Sequence, residues 1–314
     1  MQHRTYSAFG LRILSEIELP APEAAPGPAD LTILQEDDIA ADFSPPMPAV
    51  REKSWRRYGA GWLLRYRNAR GGVLEYEFSE DGRTVTARTS LPGLDHGAIA
   101  LGPALGAALH LQGIPVLHGS AVVAGGRALL LAGAPGAGKS TLAATLAAMG
   151  LGCSFLTDDL AVLDVTERGV SVRPGLPWLK LEPDTGMALD RGAGDWPRAY
   201  GPGVADDKRR LDAAGLGGGF SPAAAPLGAV YLLGPRRAAT DRCRIAPLTA
   251  PEACVALVPH FYGTDLLRIP AATRLSQASR IASLAACRHC WVPDGLSCVR
   301  AAAQAVLDDA LSAG

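Results

Sequence analysis

Hydrophobic and polar residues alternate along much of the first third of the chain. The three clearest stretches occupy residues 61–67, 72–78 and 84–89. Alternation with a period of two predicts half-buried β-strands, and the short Gly-containing segments between them predict hairpin turns. Shorter apolar runs near 6–15 and 31–34 predict two more strands, and a proline-rich connector follows at 44–49. The pattern predicts an N-terminal antiparallel β domain over residues 1–108.

The pattern changes in the remainder of the chain, residues 109–314. Predicted strands lie at 128–132, 155–157, 161–165, 229–233 and 289–292, and those at 128–132 and 229–233 are continuous apolar runs typical of buried strands. Stretches with helical character lie at 139–149, 250–258, 272–287 and 296–312. Strands that alternate with helices predict an α/β domain with an open sheet. The fold class is therefore α/β, or α+β when the N-terminal domain is included. Residues 191–226 are rich in Gly, Pro and charged residues, which predicts a long loop or lid.

A glycine-rich loop lies between the first of these strands and the first of these helices. The loop and helix start consist of Gly133, Ala134, Pro135, Gly136, Ala137, Gly138, Lys139, Ser140 and Thr141. They match G-x-x-x-x-G-K-[ST], the phosphate-binding loop, or Walker A motif. Backbone N–H groups would cradle the phosphates of ATP, Lys139 would reach the β- and γ-phosphates, and Ser140 would ligate Mg²⁺. A Gly/Ala-rich turn without a ligand is the alternative.

Two carboxylates follow the next predicted strand. Asp158 and Asp159 come directly after Phe155-Leu156-Thr157, and ligands in open α/β sheets bind beyond the carboxyl ends of the strands. One carboxylate would hold Mg²⁺ and the other would take a proton from an attacking hydroxyl. The alternative is an Asp pair that caps a turn. His118, upstream at a strand edge, is a further candidate, although a lone histidine is more often structural.

Composition and net charge indicate what kind of protein this is and which partners are not expected. Hydrophobic residues make up 48% of the 314 residues and charged residues 19%, which is typical of a globular chain. A formal net charge of −1 argues against nucleic-acid or membrane partners. The N-terminus lacks an apolar signal core and no apolar run could span a bilayer, so we expect a cytoplasmic protein. Homo-oligomerisation is left open.

The cysteines allow two interpretations. Cys287, His289 and Cys290, with Cys298 nearby, have the spacing of part of a zinc site. No second C-x-x-C motif completes a tetrahedral set. The alternative, which we favour, is that these cysteines behave as small buried hydrophobic residues.

The motifs in combination resemble a known family. Leu117-His118-Gly119-Ser120, the loop at 133–140 and Leu156-Thr157-Asp158-Asp159 resemble, in that order and spacing, the HPr kinase/phosphorylase superfamily. The stretch from Arg173 to Leu181, Asp207-Lys208-Arg209 and 227–233 look like its shorter, HPr-kinase-related branch. The N-terminal residues 6–20 are similar to the start of kinases from modified-peptide pathways, lasso peptides among them.

The resemblance implies an HPr-kinase-like P-loop domain that moves the γ-phosphate of ATP to a serine hydroxyl. It implies that Asp158 is the general base and that Asp159 and His118 are its close partners. Asp159 is then the carboxylate that would hold Mg²⁺ together with Ser140. The family's Arg-Gly-Leu-Gly signature is absent from this chain, which puts phosphorylase activity and HPr as substrate in doubt. The family's downstream acidic residue has no clear counterpart, and Glu182 and Asp184 are the candidates.

The sequence therefore predicts an ATP- and Mg²⁺-dependent kinase whose acceptor is a serine of a peptide or protein. A ribosomally made precursor peptide of the lasso type is the specific hypothesis, and the β domain would hold it as an added edge strand. A small-molecule hydroxyl kinase and a nucleotide-binding regulatory protein without phosphoryl transfer are the alternatives.

Overall fold

The computed structural model of the chain describes most of its residues. These are 3–36, 50–68, 72–90, 96–189, 196–200, 207–236, 238 and 242–312. The predicted connector at 44–49 and parts of the predicted lid lie outside them. The chain divides into two compact units, of which the first comprises Met1–Ile114, Arg198–Lys208 and Gly263–Arg268. The second comprises Pro115–Pro197, Arg209–Tyr262 and Ile269–Gly314. The domain boundary that we predict between residues 108 and 109 stays a prediction.

The strands and helices are numbered in chain order. The strands of the first unit are β1 (Arg4–Ala8), β2 (Leu11–Ser15), β3 (Leu31–Gln35), β4 (Val50–Tyr58), β5 (Gly61–Asn68), β6 (Val73–Phe78) and β7 (Thr84–Thr89). Those of the second are β8 (Val116–Ala124), β9 (Arg127–Gly133), β10 (Cys153–Thr157), β11 (Leu160–Val165), β12 (Val170–Val172), β13 (Trp178–Leu181), β14 (Arg209–Asp212), β15 (Ala225–Leu233), β16 (Arg244–Pro247) and β17 (Ala286–Trp291). The α-helices are α1 (His96–Ile99), α2 (Leu105–Leu111), α3 (Lys139–Ala148), α4 (Pro183–Ala188), α5 (Ala250–Leu257), α6 (Thr264–Leu267), α7 (Ala271–Leu284) and α8 (Leu296–Ser312).

The first unit contains a mixed β-sheet. Its described strands follow the order β1-β2-β3-β7-β6-β5-β4. The pairs β2–β3 and β3–β7 are parallel, and the other pairs are antiparallel. The predicted β-rich character is confirmed, and the predicted antiparallel pairing holds except at β2–β3 and β3–β7, which are parallel. Parallel neighbours need a long crossover, and the proline-rich segment between β2 and β3 provides one.

The second unit is built on a sheet that is buried on both faces. In its centre β9 pairs with β8 and, in parallel, with β15, which pairs in parallel with β17. Leu129 and Leu131 pack on the face that α3 and α8 cover, whereas Leu130 packs on the face that α5 and α7 cover. Burial of both faces is why β9 is a continuous apolar run and not an alternating one. The predicted α/β class is confirmed.

The two cysteines of β17 lie on opposite faces of this sheet. Cys287 packs in the cluster beside α7, and Cys290 packs in the cluster beside α8. Residues three apart in a strand point to opposite faces, so these thiols cannot share a metal ion. Among the described residues, no group of three or more His, Cys, Asp or Glu side chains could hold a metal. The opposite faces therefore contradict a zinc site that Cys287 and Cys290 share, and both side chains are buried, as the alternative interpretation predicts.

One further finding concerns membranes. Within the described part of the chain, no helix has both the length and the apolar character needed to cross a bilayer.

Candidate active site

The glycine-rich loop connects β9 to α3, as the sequence predicts. Gly136 and Gly138 have φ angles of 77° and 95°, a backbone region that residues with a Cβ rarely adopt. These two turns let the chain reverse from the strand into the helix within a few residues. Among the described residues, no side chain caps the N-terminus of α3. The N–H groups of its first turn, with the positive end of the helix dipole, therefore form a site suited to an anion.

Lys139, the first residue of α3, is buried beside this loop. Only 6% of the residue is exposed, and its Nζ donates hydrogen bonds of 3.1 Å to the carbonyls of Gly133 and Ala134. A buried ammonium is costly unless polar groups surround it. The loop thus holds a positive charge against its own backbone, at the place where the motif expects phosphate oxygens. Ser140 is half-buried in the same helical turn.

The register of the sheet brings the predicted catalytic residues to the level of the loop. Gly119 of β8 lies opposite Ala132 of β9, and His118 lies opposite Leu160 of β11. Both β10 and β11 pair with β8, and the chain breaks the ladder between them at Asp158 and Asp159. The Asp pair therefore lies at the break between β10 and β11, and β8 separates it from the end of β9.

Backbone geometry at the break is unusual. Asp159 has a φ of 71°, which is uncommon for a residue other than glycine and is best tolerated by Asp and Asn. Its carbonyl accepts a hydrogen bond of 3.3 Å from the Gly119 N–H, which keeps the break attached to β8. The break between β10 and β11 thus places two consecutive carboxylates, Asp158 and Asp159, at one point of the sheet.

Asp158 is held by two hydrogen bonds from different strands. The hydroxyl of Ser120 donates to its Oδ1 at 2.6 Å, and the backbone N–H of Lys180 donates to its Oδ2 at 3.0 Å. Ser120 is fully buried, and 9% of Asp158 is exposed. The carboxylate thus has a fixed orientation.

Asp159 is the more accessible carboxylate, and the side chains of Lys180 and His118 lie next to it. Lys180 Nζ approaches its Oδ2 at 2.8 Å, and His118 Nε2 approaches its Oδ1 at 3.5 Å. The imidazole of His118 also packs edge-on against the ring of Tyr262, at 5.9 Å between centroids. The structure thus brings together the three residues that the sequence predicts as catalytic, Asp158, Asp159 and His118. Lys180 touches both carboxylates, one through its backbone and one through its ammonium.

Comparisons with known proteins add little to this geometry. No family model and no curated protein matches the chain. Among solved structures, the Hpr(Ser) kinase/phosphatase from Coxiella burnetii aligns over 42% of this chain and 72% of its own, at 14% identity and a TM-score of 0.27. The likeness is distant. At this identity and score it establishes neither a family nor an activity.

Two of the residues that contact the Asp pair, Ser120 and Lys180, are not among the catalytic or binding residues that the sequence predicts. Ser120 had a local signal, since it lies two residues after His118 in a strand and must share its face. Lys180 had none, because it reaches the Asp pair from β13 through tertiary structure alone.

His260 is a third residue near the site that sequence reasoning missed. It ends a short 3₁₀ turn, and the next residue, Phe261, forms a bridge with Leu117 of β8. Burial lowers the pKa of His260 from 6.5 to about 4, and the nearby charges of Lys139 and His118 contribute smaller parts of this shift. The imidazole is therefore neutral at pH 7.

The side chains that could hold Mg²⁺ at this site carry oxygen donors. Mg²⁺ prefers oxygen ligands and usually takes one or two carboxylates together with substrate phosphates, so a cluster of three acidic residues is not required. Ser140 and Asp159 supply such oxygens. Glu182 and Asp184, the candidates for a further acidic residue, are both exposed, and their role stays a prediction.

Proposed function

We propose that this chain is a kinase that transfers the γ-phosphoryl group of ATP to a hydroxyl, with Mg²⁺ as cofactor. The observation that carries the proposal is an oriented carboxylate, Asp158, held by Ser120 of β8, the strand that pairs with β9 at the level where β9 enters the loop with its buried lysine. A protein that only binds nucleotide has no need of a fixed proton acceptor. The motif resemblance to HPr-kinase-like proteins is consistent with it.

In this proposal Asp158 is the general base. A serine hydroxyl is a weak nucleophile until its proton has an acceptor. The hydroxyl oxygen would form a bond to the γ-phosphorus while the bond from that phosphorus to the β–γ bridging oxygen breaks. Asp158 would accept the hydroxyl proton, and ADP would leave. The hydrogen bonds from Ser120 and Lys180 would keep the carboxylate aimed during the transfer.

The other residues of the site would neutralise the negative charge of the phosphates or hold Mg²⁺. Phosphoryl transfer depends mainly on positioning and on neutralising the phosphate oxygens. Lys139 would turn from the loop carbonyls toward the β- and γ-phosphates. Ser140 and Asp159 would hold Mg²⁺, which neutralises phosphate charge when bound. Lys180 and His118 would keep the Asp159 carboxylate in place before the metal arrives.

We propose a serine on a peptide or protein as the acceptor, and a ribosomally made precursor peptide of the lasso type as the specific case. Support comes from the sequence resemblance and from the mixed sheet of the first unit, in which β1 and β4 are the outermost described strands. An extended peptide could add to such an edge through backbone hydrogen bonds, with pockets for alternate side chains.

The test is mass spectrometry of serine-containing precursor peptides incubated with the protein, ATP and Mg²⁺. We expect a gain of one phosphoryl group, located on serine by fragmentation. The Lys139→Ala and Asp158→Asn variants are the controls and should give no or very slow product. ATP binding without phosphoryl transfer to any peptide, protein or small hydroxyl compound would contradict the proposal and favour a nucleotide-binding regulator.

A further inference from the structure

Two cysteine thiols from neighbouring strands lie against each other at one end of the sheet of the second unit. Sγ of Cys243 is 3.9 Å from Sγ of Cys290, and both thiols are free. Cys290 belongs to β17, and Cys243 comes directly before β16, which follows β17 at the end of the described strand order. Neither residue takes part in the phosphoryl transfer proposed above.

The pairing of β16 with β17 explains why these sulfurs meet. The two strands are antiparallel, and Ile245 of β16 lies opposite Cys290. Side chains two residues apart on a strand share a face, which places Cys243 on the same face as Ile245 and Cys290. All three side chains pack in the cluster beside α8. The two cysteines are 47 residues apart in the chain, so the strand pairing alone brings them together.

A disulfide between these sulfurs needs only a short movement. The S–S bond is about 2.05 Å long, so the sulfurs must approach each other by about 2 Å from their present separation. The paired register of β16 begins at Arg244, which leaves Cys243 outside it. The backbone at Cys243 can therefore move toward Cys290 without breaking a paired position of the ladder.

The two thiols differ in how easily an oxidant reaches them. Cys243 is half-buried, whereas Cys290 is fully buried. The hydrogen bond between the two sulfurs lowers the pKa of the Cys243 thiol, against the effect of burial. The same hydrogen bond, together with burial, raises the pKa of the Cys290 thiol. The thiolate is the nucleophile in thiol oxidation, so Cys243 meets the oxidant first and Cys290 supplies the second sulfur.

We propose that Cys243 and Cys290 are an oxidative modification site, at which hydrogen peroxide converts the two thiols into an intramolecular disulfide. This proposal does not depend on the function proposed above.

The reaction has two steps. The Cys243 thiolate attacks one peroxide oxygen, so that an S–O bond forms, the O–O bond breaks and hydroxide leaves to take up the proton that Cys243 has lost. The product is a sulfenic acid. Cys290 then loses its proton, and its sulfur attacks the sulfur of Cys243. The S–S bond forms, the S–O bond breaks and water leaves with that proton. The two sulfurs lose two electrons, the peroxide oxygens gain them, and a dithiol reductant reverses the disulfide.

The test is a peptide map of the full chain after brief treatment with a few equivalents of hydrogen peroxide. Remaining thiols are alkylated before digestion. Residues 289–299 contain no Lys or Arg, so trypsin leaves Cys290 and Cys298 on one peptide. Cys298→Ser is therefore the matched control, since it removes another half-buried thiol and leaves Cys290 as the only cysteine of that peptide. We expect this variant to give a linked pair of peptides that contains Cys243 and Cys290, is two hydrogen atoms lighter than the separate peptides, and is separated by dithiothreitol.

Two further variants separate the roles of the partners, with thermal unfolding as the check on folding. Cys290→Ala should lose the link and accumulate a sulfenic acid at Cys243 that dimedone traps, because no second sulfur resolves it. Cys243→Ser should lose the link and leave Cys290 reduced, because the buried thiol is shielded from peroxide.

The proposal is refuted if peroxide leaves Cys243 and Cys290 unlinked in the Cys298→Ser chain. It is also refuted if Cys290 in folded Cys243→Ser protein is oxidised as fast as Cys243 in the wild type. The first of these outcomes is measured on a chain that keeps both partners, so the test stands even where Cys290→Ala does not fold.

Discussion

Replacing Asp158 with asparagine separates the chemical role of this carboxylate from its structural role. The Lys180 N–H can only donate, so the amide must present its oxygen there, as Oδ2 does at 3.0 Å in the native chain. The amide nitrogen then faces the Ser120 hydroxyl, which now donates to Oδ1 at 2.6 Å. A hydroxyl can rotate and accept instead, so both hydrogen bonds survive.

The expected magnitudes differ greatly between stability and turnover. Each surviving bond changes from charge-assisted to neutral, which costs about 1 kcal/mol of unfolding free energy per bond. The proton acceptor is lost altogether. General-base assistance is typically worth about 10²–10⁴-fold in rate, or about 3–5 kcal/mol in the barrier. We therefore expect a folded protein that binds ATP normally and transfers phosphate about 10²–10⁴-fold more slowly.

The assay is single-turnover transfer to the peptide identified by mass spectrometry, with ATP affinity and thermal unfolding measured on the same samples. Asp308→Asn is the control, since it makes the same change in charge at an exposed position of α8. Full turnover in Asp158→Asn would refute the base assignment. If Asp159→Asn then abolishes transfer, the two carboxylates have exchanged roles; if neither matters, the pair is structural.

Three further predictions concern the ionisable side chains of Lys139, Asp159 and His260. Lys139→Ala should weaken ATP by roughly 10- to 100-fold, since a charge-assisted hydrogen bond is worth about 1.5–3 kcal/mol, and unchanged affinity by calorimetry would contradict the loop assignment. Asp159→Asn should raise the Mg²⁺ concentration that gives half-maximal transfer; an unchanged Mg²⁺ dependence would remove Asp159 from the metal site. The pKa of His260 is about 4 in the folded chain and ordinarily 6.5, so the unfolded chain takes up the proton first and the contribution of His260 to stability is lost as the pH falls from 6.5 toward 4. His260→Gln should make the melting temperature depend less on pH over that range. If the melting temperature of the variant changes with pH as it does in the wild type, another group is responsible for the dependence.

The sequence by itself determined the parts of this protein that depend on neighbouring residues. The glycine-rich loop was predictable because its glycines, Lys139 and the start of α3 are consecutive. The positive φ angles at Gly136 and Gly138 need nothing from the rest of the chain beyond the reversal itself. The alternation in β5–β7 likewise predicted a half-buried sheet. The continuous apolar run of β9 predicted a sheet that is buried on both faces.

Contacts between distant residues were decided only by the tertiary structure. Lys180 reaches both carboxylates because β13 lies beside the break between β10 and β11, and His260 reaches the site because Phe261 bridges Leu117. The two parallel pairings of β3 reversed the expectation of an antiparallel sheet for the same reason. Side-chain alternation reports which face of a strand is buried, but strand order and register depend on long-range pairing, and no local pattern encodes them.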